Sequence, residues 1–396
     1  MPRDWLDDDH TGARIAHHRK LAGLTQRGLA QRIPYSYSLL HQVEAGHKNA
    51  SPDLVSAVAK ALHVDVTALT GQPYMTELQQ DKLAGLIRPI REALDLYDLG
   101  ADPALAPRGV EQLMVAAEEL CSQVRATQLN KAAAALPLVI AELTTAAHRT
   151  PSTELWRALA SAYRTAHDIT VKLGFYDLSG IALDRMDWAA QRASDPVLSA
   201  VRQYMRALVY FREGEHTIGL RLIATGLAVL HQAPQSIESL AVAGQLHLGA
   251  TVIAARAQDE DTVGKHLAHA REVAERTGEQ GRVHWLSFGP TNVCAHEMSA
   301  NVEMHEYGRA VENAANIHLL DSWATSRRAH FYVDRGRAEM ETGRHDAALA
   351  SLLQARRVAP QQTRYHSGAR ETIKALVRAR RKTPDTLDSL ASWIGR

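Results

Sequence analysis

The sequence predicts an all-α protein made of a small N-terminal helical domain and a long helical array. Ala and Leu dominate the apolar residues, whereas aromatic residues make up only 5% of the chain, a balance typical of helices that pack closely together. Apolar positions recur at helical spacing through most of the 396 residues, and short breaks separate the helical stretches. A chain of this length can form two domains with a substantial buried core.

The composition favours a cytoplasmic protein. Cys121 and Cys294 are the only cysteines, so no disulfide framework is expected and a reducing compartment is favoured. The longest uncharged apolar run, residues 132–141, is too short to cross a bilayer and contains Pro137. The N-terminal residues lack the pattern of a secretion signal. We therefore expect no membrane partner.

Residues 11–72 carry the pattern of five short helices. Seven Lys and Arg outnumber three acidic residues between positions 11 and 71, so this segment is basic although the chain has a formal net charge of +1. Thr25, Ser36 and Ser51 are suitable N-caps for the second, third and fourth helices, and Gly46 is suited to end the third. Only a few residues around Pro34 join the second and third helices, which forces them to cross steeply. This is the pattern of a helix-turn-helix.

The third helix is the predicted reader of DNA, because the second helix of such a pair enters a major groove about 12 Å wide. Gln42 can pair with an adenine through two hydrogen bonds, and Leu39 can contact a thymine methyl group. Gln26, Arg27 and Lys48 are better placed for phosphates. The predicted DNA-binding residues are Gln26, Arg27, Ser36, Tyr37, Ser38, Leu39, His41, Gln42 and Lys48.

These positions resemble the Xre (lambda repressor and Cro-like) helix-turn-helix family, whose pattern is Thr-Gln-x-x-Leu-Ala, then Ser, then Glu-x-Gly. The matching residues are Thr25, Gln26, Leu29, Ala30, Ser36, Glu44 and Gly46. The resemblance implies sequence-specific binding of double-stranded operator DNA, usually by a homodimer. Pro34 stands where the family has Gly, and because proline cannot adopt a positive φ, the turn is expected to differ locally. The alternative is a helical domain that only dimerises.

Residues 1–10 are predicted to form a flexible acidic arm. Residues 73–396 are predicted to form a right-handed tetratricopeptide-like α-solenoid that senses a ligand and dimerises. Within residues 336–360 the small residues and the proline of a tetratricopeptide repeat recur. They are Gly336, Gly343, Ala348, Ala355 and Pro360. A looser version recurs at Gly214, Gly219 and Gly226, and its spacing from the first exceeds the usual repeat of about 34 residues. An irregular solenoid is therefore expected.

A ligand site is predicted near residues 285–316, where four of the six asparagines lie. Amide side chains suit the backbone of an extended peptide, and neighbouring aromatic rings suit an apolar pocket. The candidate residues are Trp285, Phe288, Asn292, Asn313 and Asn316. The two-domain layout is similar to the peptide-responsive Rgg and PlcR group of Gram-positive bacteria and to actinobacterial regulators, which implies a homodimer controlled by a short peptide in quorum sensing. For the asparagines, chance clustering and helix capping remain alternatives. For the array, the alternatives are a scaffold that recruits a protein partner and an array that only dimerises the protein.

The commonest signatures of nucleotide and metal chemistry are missing from the sequence, so we expect no enzyme, no cofactor and no metal site. His266 and His269 share a helical face, and Cys294 lies close to His296, but a structural zinc needs four well-spaced ligands. A basic stripe near the C-terminus has two interpretations, DNA contact or a solvated face. It comprises Arg364, Arg370, Lys374, Arg378, Arg380, Arg381 and Lys382.

Overall fold

The computed structural model describes residues 10–71, 77–379 and 384–395, without the side chains of residues 77–84. Within these segments the secondary structure is helical, and one isolated antiparallel bridge joins Gln280 to Phe288. The prediction of an all-α protein is confirmed. Residues 1–9 of the predicted arm and the linker at 72–76 lie outside the described residues, as do Arg380, Arg381 and Lys382 of the basic stripe.

Five short helices form the N-terminal domain, called the head below. They are α1 (Thr11–Leu21), α2 (Gln26–Ala30), α3 (Tyr37–Glu44), α4 (Pro52–Leu62) and α5 (Val66–Thr70). Their apolar faces enclose a core of their own, built from Ile15, Leu29, Leu40, Val43, Leu54, Val58 and Leu69 among others. His10, placed in the arm from the sequence, is instead buried, and its Nδ1 accepts a hydrogen bond from the Ala13 amide at 3.1 Å, which caps α1.

The array begins with α6 and continues as antiparallel helix pairs. Its helices are α6 (Glu77–Asp95), α7 (Val110–Arg125), α8 (Leu129–Arg149), α9 (Thr153–Leu173), α10 (Tyr176–Arg192), α11 (Pro196–Glu213), α12 (His216–Leu230), α13 (Ile237–Arg256), α14 (Glu260–Thr277), α15 (Pro290–Glu303), α16 (Tyr307–Ala315), α17 (Thr325–Glu341), α18 (His345–Val358), α19 (Pro360–Tyr365), α20 (Ser367–Ala379) and α21 (Asp385–Gly395). A 3-10 turn, Val283–Trp285, lies between α14 and α15.

The clearest predicted repeat is the pair α17 and α18. Ala348 and Ala355 are fully buried, and Gly336 packs so closely that an added Cβ would lie 3.3 Å from Leu352 Cγ. Gly343 turns the chain between the two helices with a φ of +76°, a conformation that glycine adopts without strain. Close approach at small residues therefore fixes this helix pair.

The C-terminal part of the array packs against its N-terminal part. Helix α17 packs against α7, and α19 packs against α9. Two hydrogen bonds join these parts: the Leu129 amide donates to Gln361 Oε1 at 3.1 Å, and Lys172 Nζ donates to Gln362 Oε1 at 2.8 Å. The inner side of the array is therefore more enclosed than the open concave surface expected from a regular solenoid.

Helix α13 is long and apolar enough to cross a membrane by length and composition alone, with a mean hydropathy of 1.3 in its most apolar window. However, 72% of that window is buried against other helices of the protein. This is the environment of a core helix, and α13 supplies the buried residues Val242, Leu246 and Ile253 to the largest core.

Candidate nucleic-acid interface

The turn between α2 and α3 is built without a left-handed residue. Thr25 Oγ1 accepts from the Gly28 amide at 3.0 Å and caps α2, while Ser36 Oγ accepts from the Leu39 amide at 3.2 Å and caps α3. No residue of the connecting segment 31–35 has a positive φ, in agreement with the constraint that Pro34 places on it. The chain thus connects the two helices through turns and bends at residues 31–35 in which every φ is negative.

The N-terminal half of α3 presents its side chains to solvent. Tyr37 is 43% exposed, and Ser38 and His41 are exposed as well. The Tyr37 and His41 rings are stacked with centroids 6.0 Å apart, and the Arg27 guanidinium lies 5.6 Å from the Tyr37 centroid. This face therefore combines two flat rings with a cation, at the end of the helix that enters a groove in this motif.

The remaining predicted DNA-binding residues occupy different environments. Arg27 and Lys48 are exposed, whereas Leu39 and Gln42 are half-buried, and Leu39 packs partly against the head core. Gln26 is tied in place, since its Nε2 donates to Glu44 Oε2 at 2.8 Å and its Oε1 lies 3.3 Å from His41 Nδ1. The Ser36 hydroxyl is exposed but engaged as the cap described above.

A buried ion pair fixes α3 against α1. Arg19 Nε and Nη2 donate to the two carboxylate oxygens of Glu44, both at 2.7 Å, and Arg19 Nη1 donates to the Leu24 carbonyl at 2.7 Å. These hydrogen bonds to the Glu44 carboxylate raise the pKa of the Arg19 guanidinium. The two side chains are only 9% and 4% exposed. The same carboxylate holds Gln26, so one acidic residue positions both helices of the motif.

A second link runs from the turn to the array. Tyr35 donates a short hydrogen bond to Asp53 Oδ2, and Asp53 Oδ1 lies 3.5 Å from His305 Nε2 in the turn between α15 and α16. Burial alone would raise the pKa of the Asp53 carboxyl, but hydrogen bonds from His305, Ser51 and Tyr35 outweigh it and hold that pKa well below its usual range. Asp53 therefore stays ionised between the head and the array.

Four further contacts join the head to the array. Lys60 Nζ lies 2.9 Å from Glu215 Oε1, and the adjacent Gly214 approaches Ser56 so closely that an added Cβ would lie 2.5 Å from Ser56 Cβ. On the other side of the head, Thr11 Oγ1 donates to Glu371 Oε1 of α20 at 2.9 Å. Arg378 of the basic stripe also bonds to Asn49. Part of this stripe thus faces the head.

Sequence reasoning missed these linking residues. Glu44 carried a usable signal, because it matches a typed position of the family pattern, but its partner Arg19 does not. Asp53 and His305 are separated by about 250 positions, and only the folded chain brings them together.

The five predicted ligand residues do not form one accessible pocket. Phe288 and Asn292 are 0% exposed. The Phe288 ring packs against Gly244, and Asn292 Nδ2 donates to Gln245 Oε1 at 3.0 Å within a buried polar network. Trp285 and Asn313 are half-buried, and Asn316 is an exposed residue that ends α16.

His266 and His269 do come together with His247, but no group of three or more metal-ligating side chains with suitable geometry occurs in the described part of the chain. Burial, followed by the charges of His266 and His269, lowers the pKa of His247 to about 4. The His247 ring is therefore neutral near neutral pH and packs against the other two rings.

Comparison with known proteins supports the interpretation of the head. Residues 10–70 match the helix-turn-helix domain family. The immunity repressor protein of Bacillus phage phi105 is 33% identical over 131 residues, which cover 30% of this chain and 89% of that protein.

Two solved structures are similar to the chain at low identity. BtubC (BKLC) from P. vanneervenii is 16% identical, with a TM-score of 0.37, over 65% of this chain and 94% of that one. The P58(IPK) TPR domain is 11% identical, with a TM-score of 0.20, over 96% and 97% of the two chains. The chain belongs to the Xre-type helix-turn-helix family of repressor-like DNA-binding proteins, and it carries a tetratricopeptide-like helical array behind its head.

Proposed function

We propose that this chain is a sequence-specific transcriptional regulator that reads operator DNA with α3 and changes its DNA binding when the array receives a signal. The observation that carries the proposal is the exposed face of α3, which is capped by Ser36 and held by the Arg19–Glu44 pair. A rigid helix with exposed polar side chains at its N-terminal half is the part of this motif that contacts base edges.

Each predicted residue receives a proposed role. Tyr37, Ser38, His41 and Gln42 face the bases, and Leu39 offers its exposed part to a thymine methyl. The phosphate contacts are assigned to Arg27, Lys48, Gln26 and the N-terminus of α3 at Ser36. Because Gln26 is bonded to His41, we expect a phosphate contact at Gln26 to orient the His41 ring.

The signal is proposed to be a short peptide, since helical-repeat arrays hold extended segments on their inner side. Trp285, Asn313 and Asn316 have accessible surface for such a ligand, whereas Phe288 and Asn292 would contact it only after a rearrangement. A ligand changes DNA binding only if it favours one arrangement of head and array over another. The links through Asp53 and through Gly214 are the contacts that such a change would alter.

The proposal includes a cytoplasmic homodimer that catalyses no reaction. Two heads related by two-fold symmetry would bind two half-sites about 34 Å apart, one turn of the double helix. No contact between copies is required for the base readout by a single head.

Substitutions on α3 test the readout. Replacing Tyr37, His41 or Gln42 by Ala is expected to weaken binding to a selected duplex by about 1–3 kcal/mol per lost base contact. His231→Ala is the matched control, since His231 is exposed at the end of α12 in the array. The measurement is the dissociation constant of each full-length variant at one salt concentration. Operator affinity unchanged in all three α3 variants would contradict the assignment.

A pair of glycine substitutions tests the link between head and array. Gly214 and Gly343 both follow a helix with nearly equal positive φ angles of +75° and +76°, so alanine strains both by about 1–2 kcal/mol. Only the added Cβ at position 214 would press on Ser56, whereas nothing lies within 4 Å at position 343.

We therefore expect Gly214→Ala to increase hydrogen exchange in α4 and to change operator affinity, while Gly343→Ala does neither. Equal exchange in α4 for both variants would show that the contact at Ser56 does not hold the head.

A further inference from the structure

We propose that the array holds a binding site for an anionic group of its ligand, formed by Arg125, Arg164, Lys172 and Arg212. These four side chains, called the cationic cluster below, lie between α7, α9, α11 and α19. The inference rests on the proposed signal-receiving role of the array and names the chemistry of the signal: a carboxylate or a phosphate.

Arg164 is the central observation. Its side chain projects from the middle of α9 and the residue is 3% exposed. Nη1 donates to the His284 carbonyl, but Nε and Nη2 have no hydrogen-bond partner among the described residues. A buried guanidinium with two idle donors is costly unless another acceptor reaches it. The idle donors therefore indicate a place for an acceptor that comes from outside the chain.

The surrounding charges also leave positive charge uncompensated. Residues 164, 168 and 172 lie four apart along α9 and so share one face. Arg125 Nη2 donates to Asp168 Oδ2 at 2.8 Å, yet Arg125 Nε has no partner in the described structure, and neither does Arg212 Nη1. Asp168 interacts electrostatically with all four cations, and it is the carboxylate that they share.

The pKa values of the cluster reflect its excess of positive charge. Burial, followed by the charge of Arg125, lowers the pKa of Lys172 to about 8, and the same two causes lower the pKa of Arg164 to about 10. Burial would raise the pKa of Asp168, but Arg125 and Arg164 outweigh it and keep the carboxylate ionised. An anion placed among the four cations would relieve their mutual repulsion.

The geometry of the donors selects the ligand class. A guanidinium presents a planar fork of donors that matches carboxylate and phosphate oxygens. Three guanidiniums and one ammonium therefore suit an anionic oxygen group far better than an apolar or cationic ligand. Lys172 and Arg212 are only half-buried, so the cluster retains an accessible side.

The cluster also lies next to the head. Arg212 is near the C-terminal end of α11, two residues before Gly214 and three before Glu215, and these two residues contact Ser56 and Lys60 of the head. An anion that draws Arg212 inward would act directly on the end of the helix that touches the head. Residues 212–215 would thus connect the binding of an anionic ligand to the position of the head.

The experiment compares Arg164→Met with Arg256→Met in the full-length protein. The Arg256 side chain is also largely buried, at 9% exposed, but it has acceptors: it pairs with Glu303 at 2.6 Å and donates to the Phe211 carbonyl at 3.0 Å. We expect Arg164→Met to preserve or raise the melting temperature, since it removes a poorly paired buried charge, and Arg256→Met to lower it. A marked loss of stability in Arg164→Met would assign Arg164 to the fold and overturn the proposal.

The probes are inorganic phosphate, succinate and a heptapeptide rich in Asp and Glu, each added at constant ionic strength with chloride as the reference anion. At least one probe is expected to raise the melting temperature of the wild type and not that of Arg164→Met. Stabilisation by phosphate alone would identify a phosphate ligand, and stabilisation by succinate or the heptapeptide a carboxylate ligand. Equal responses of the wild type and Arg164→Met to every probe would refute the site. Operator binding, measured without probes, separates this failure from a failure of the proposed DNA-binding function.

Discussion

Removal of the Glu44 carboxylate is expected to unfold the head while the array stays folded. In the wild type, Glu44 accepts two hydrogen bonds from Arg19 and one from Gln26, all between 2.7 and 2.8 Å, and the Arg19 and Glu44 side chains are 9% and 4% exposed. Deleting one partner of a buried ion pair leaves an uncompensated charge, at a cost of about 3–5 kcal/mol.

For a domain of about 60–100 residues, 1 kcal/mol shifts the melting temperature by about 4–8 °C, so Glu44→Ala is expected to lower that of the head by on the order of 12–40 °C. Hydrogen exchange resolved by peptide would show early exchange in α1 to α5 and native protection in α7 to α18. Differential scanning calorimetry would give the shift itself.

The double variant Arg19→Met with Glu44→Leu provides the matched control, because replacing both charges by apolar side chains of similar size removes the uncompensated charge. It is expected to recover most of the lost stability. The reasoning is refuted if Glu44→Ala melts within about 2 °C of the wild type, or if the double variant is as unstable as the single one.

The other predictions concern the array. Gly244→Ala would place a Cβ 2.1 Å from Phe288 Cζ, and this overpacking is expected to lower the free energy of unfolding by about 1–3 kcal/mol. Gly264→Ala adds a Cβ with nothing within 4 Å and should stabilise α14 by about 0.5–1 kcal/mol. Urea denaturation distinguishes the two variants, and equal unfolding midpoints would be contrary evidence. Burial lowers the pKa of His296 and of His366 to about 3, so between pH 6.5 and about 3 the unfolded chain binds more protons and stability falls as pH falls, by up to about 1.4 kcal/mol per pH unit for each histidine. Melting temperatures measured from about pH 7.5 to about pH 5 check this, and His366→Gln should reduce the slope.

The head was predictable because its signals are local. The caps Thr25, Ser36 and Ser51 act on amides three residues away, so their positions along the sequence already determine where α2, α3 and α4 begin. Pro34 likewise predicts a turn without left-handed residues, and the structure has such a turn. Local chemistry was therefore sufficient to locate the helix-turn-helix.

The interior of the array was not predictable by the same means. Clustered asparagines suggested a shared surface, but α15 turns Asn292 into a buried network with Gln245, while Asn316 ends α16 in solvent. Which face of a helix is buried depends on its neighbours, and in a curved array these come from distant parts of the chain. The contact of α19 with α9, which encloses the inner side, joins segments nearly 200 residues apart.

The cationic cluster escaped sequence analysis for the same reason. Arg164 and Lys172 are ordinary residues in a helix pattern, and their spacing of eight shows only that they share a face. Their proposed role depends on Arg125 on α7 and Arg212 on α11, which both interact electrostatically with the Asp168 carboxylate.

The most direct test of the central claim is selection of binding sites from a random duplex DNA library with the folded full-length protein at moderate salt. The account predicts enrichment of one two-fold-related sequence, whose recovery is lost when Tyr37, His41 and Gln42 are replaced together by Ala. A library that shows no enrichment for any duplex, or the same enrichment with the triple variant, would contradict the assignment of α3 as the reader of DNA.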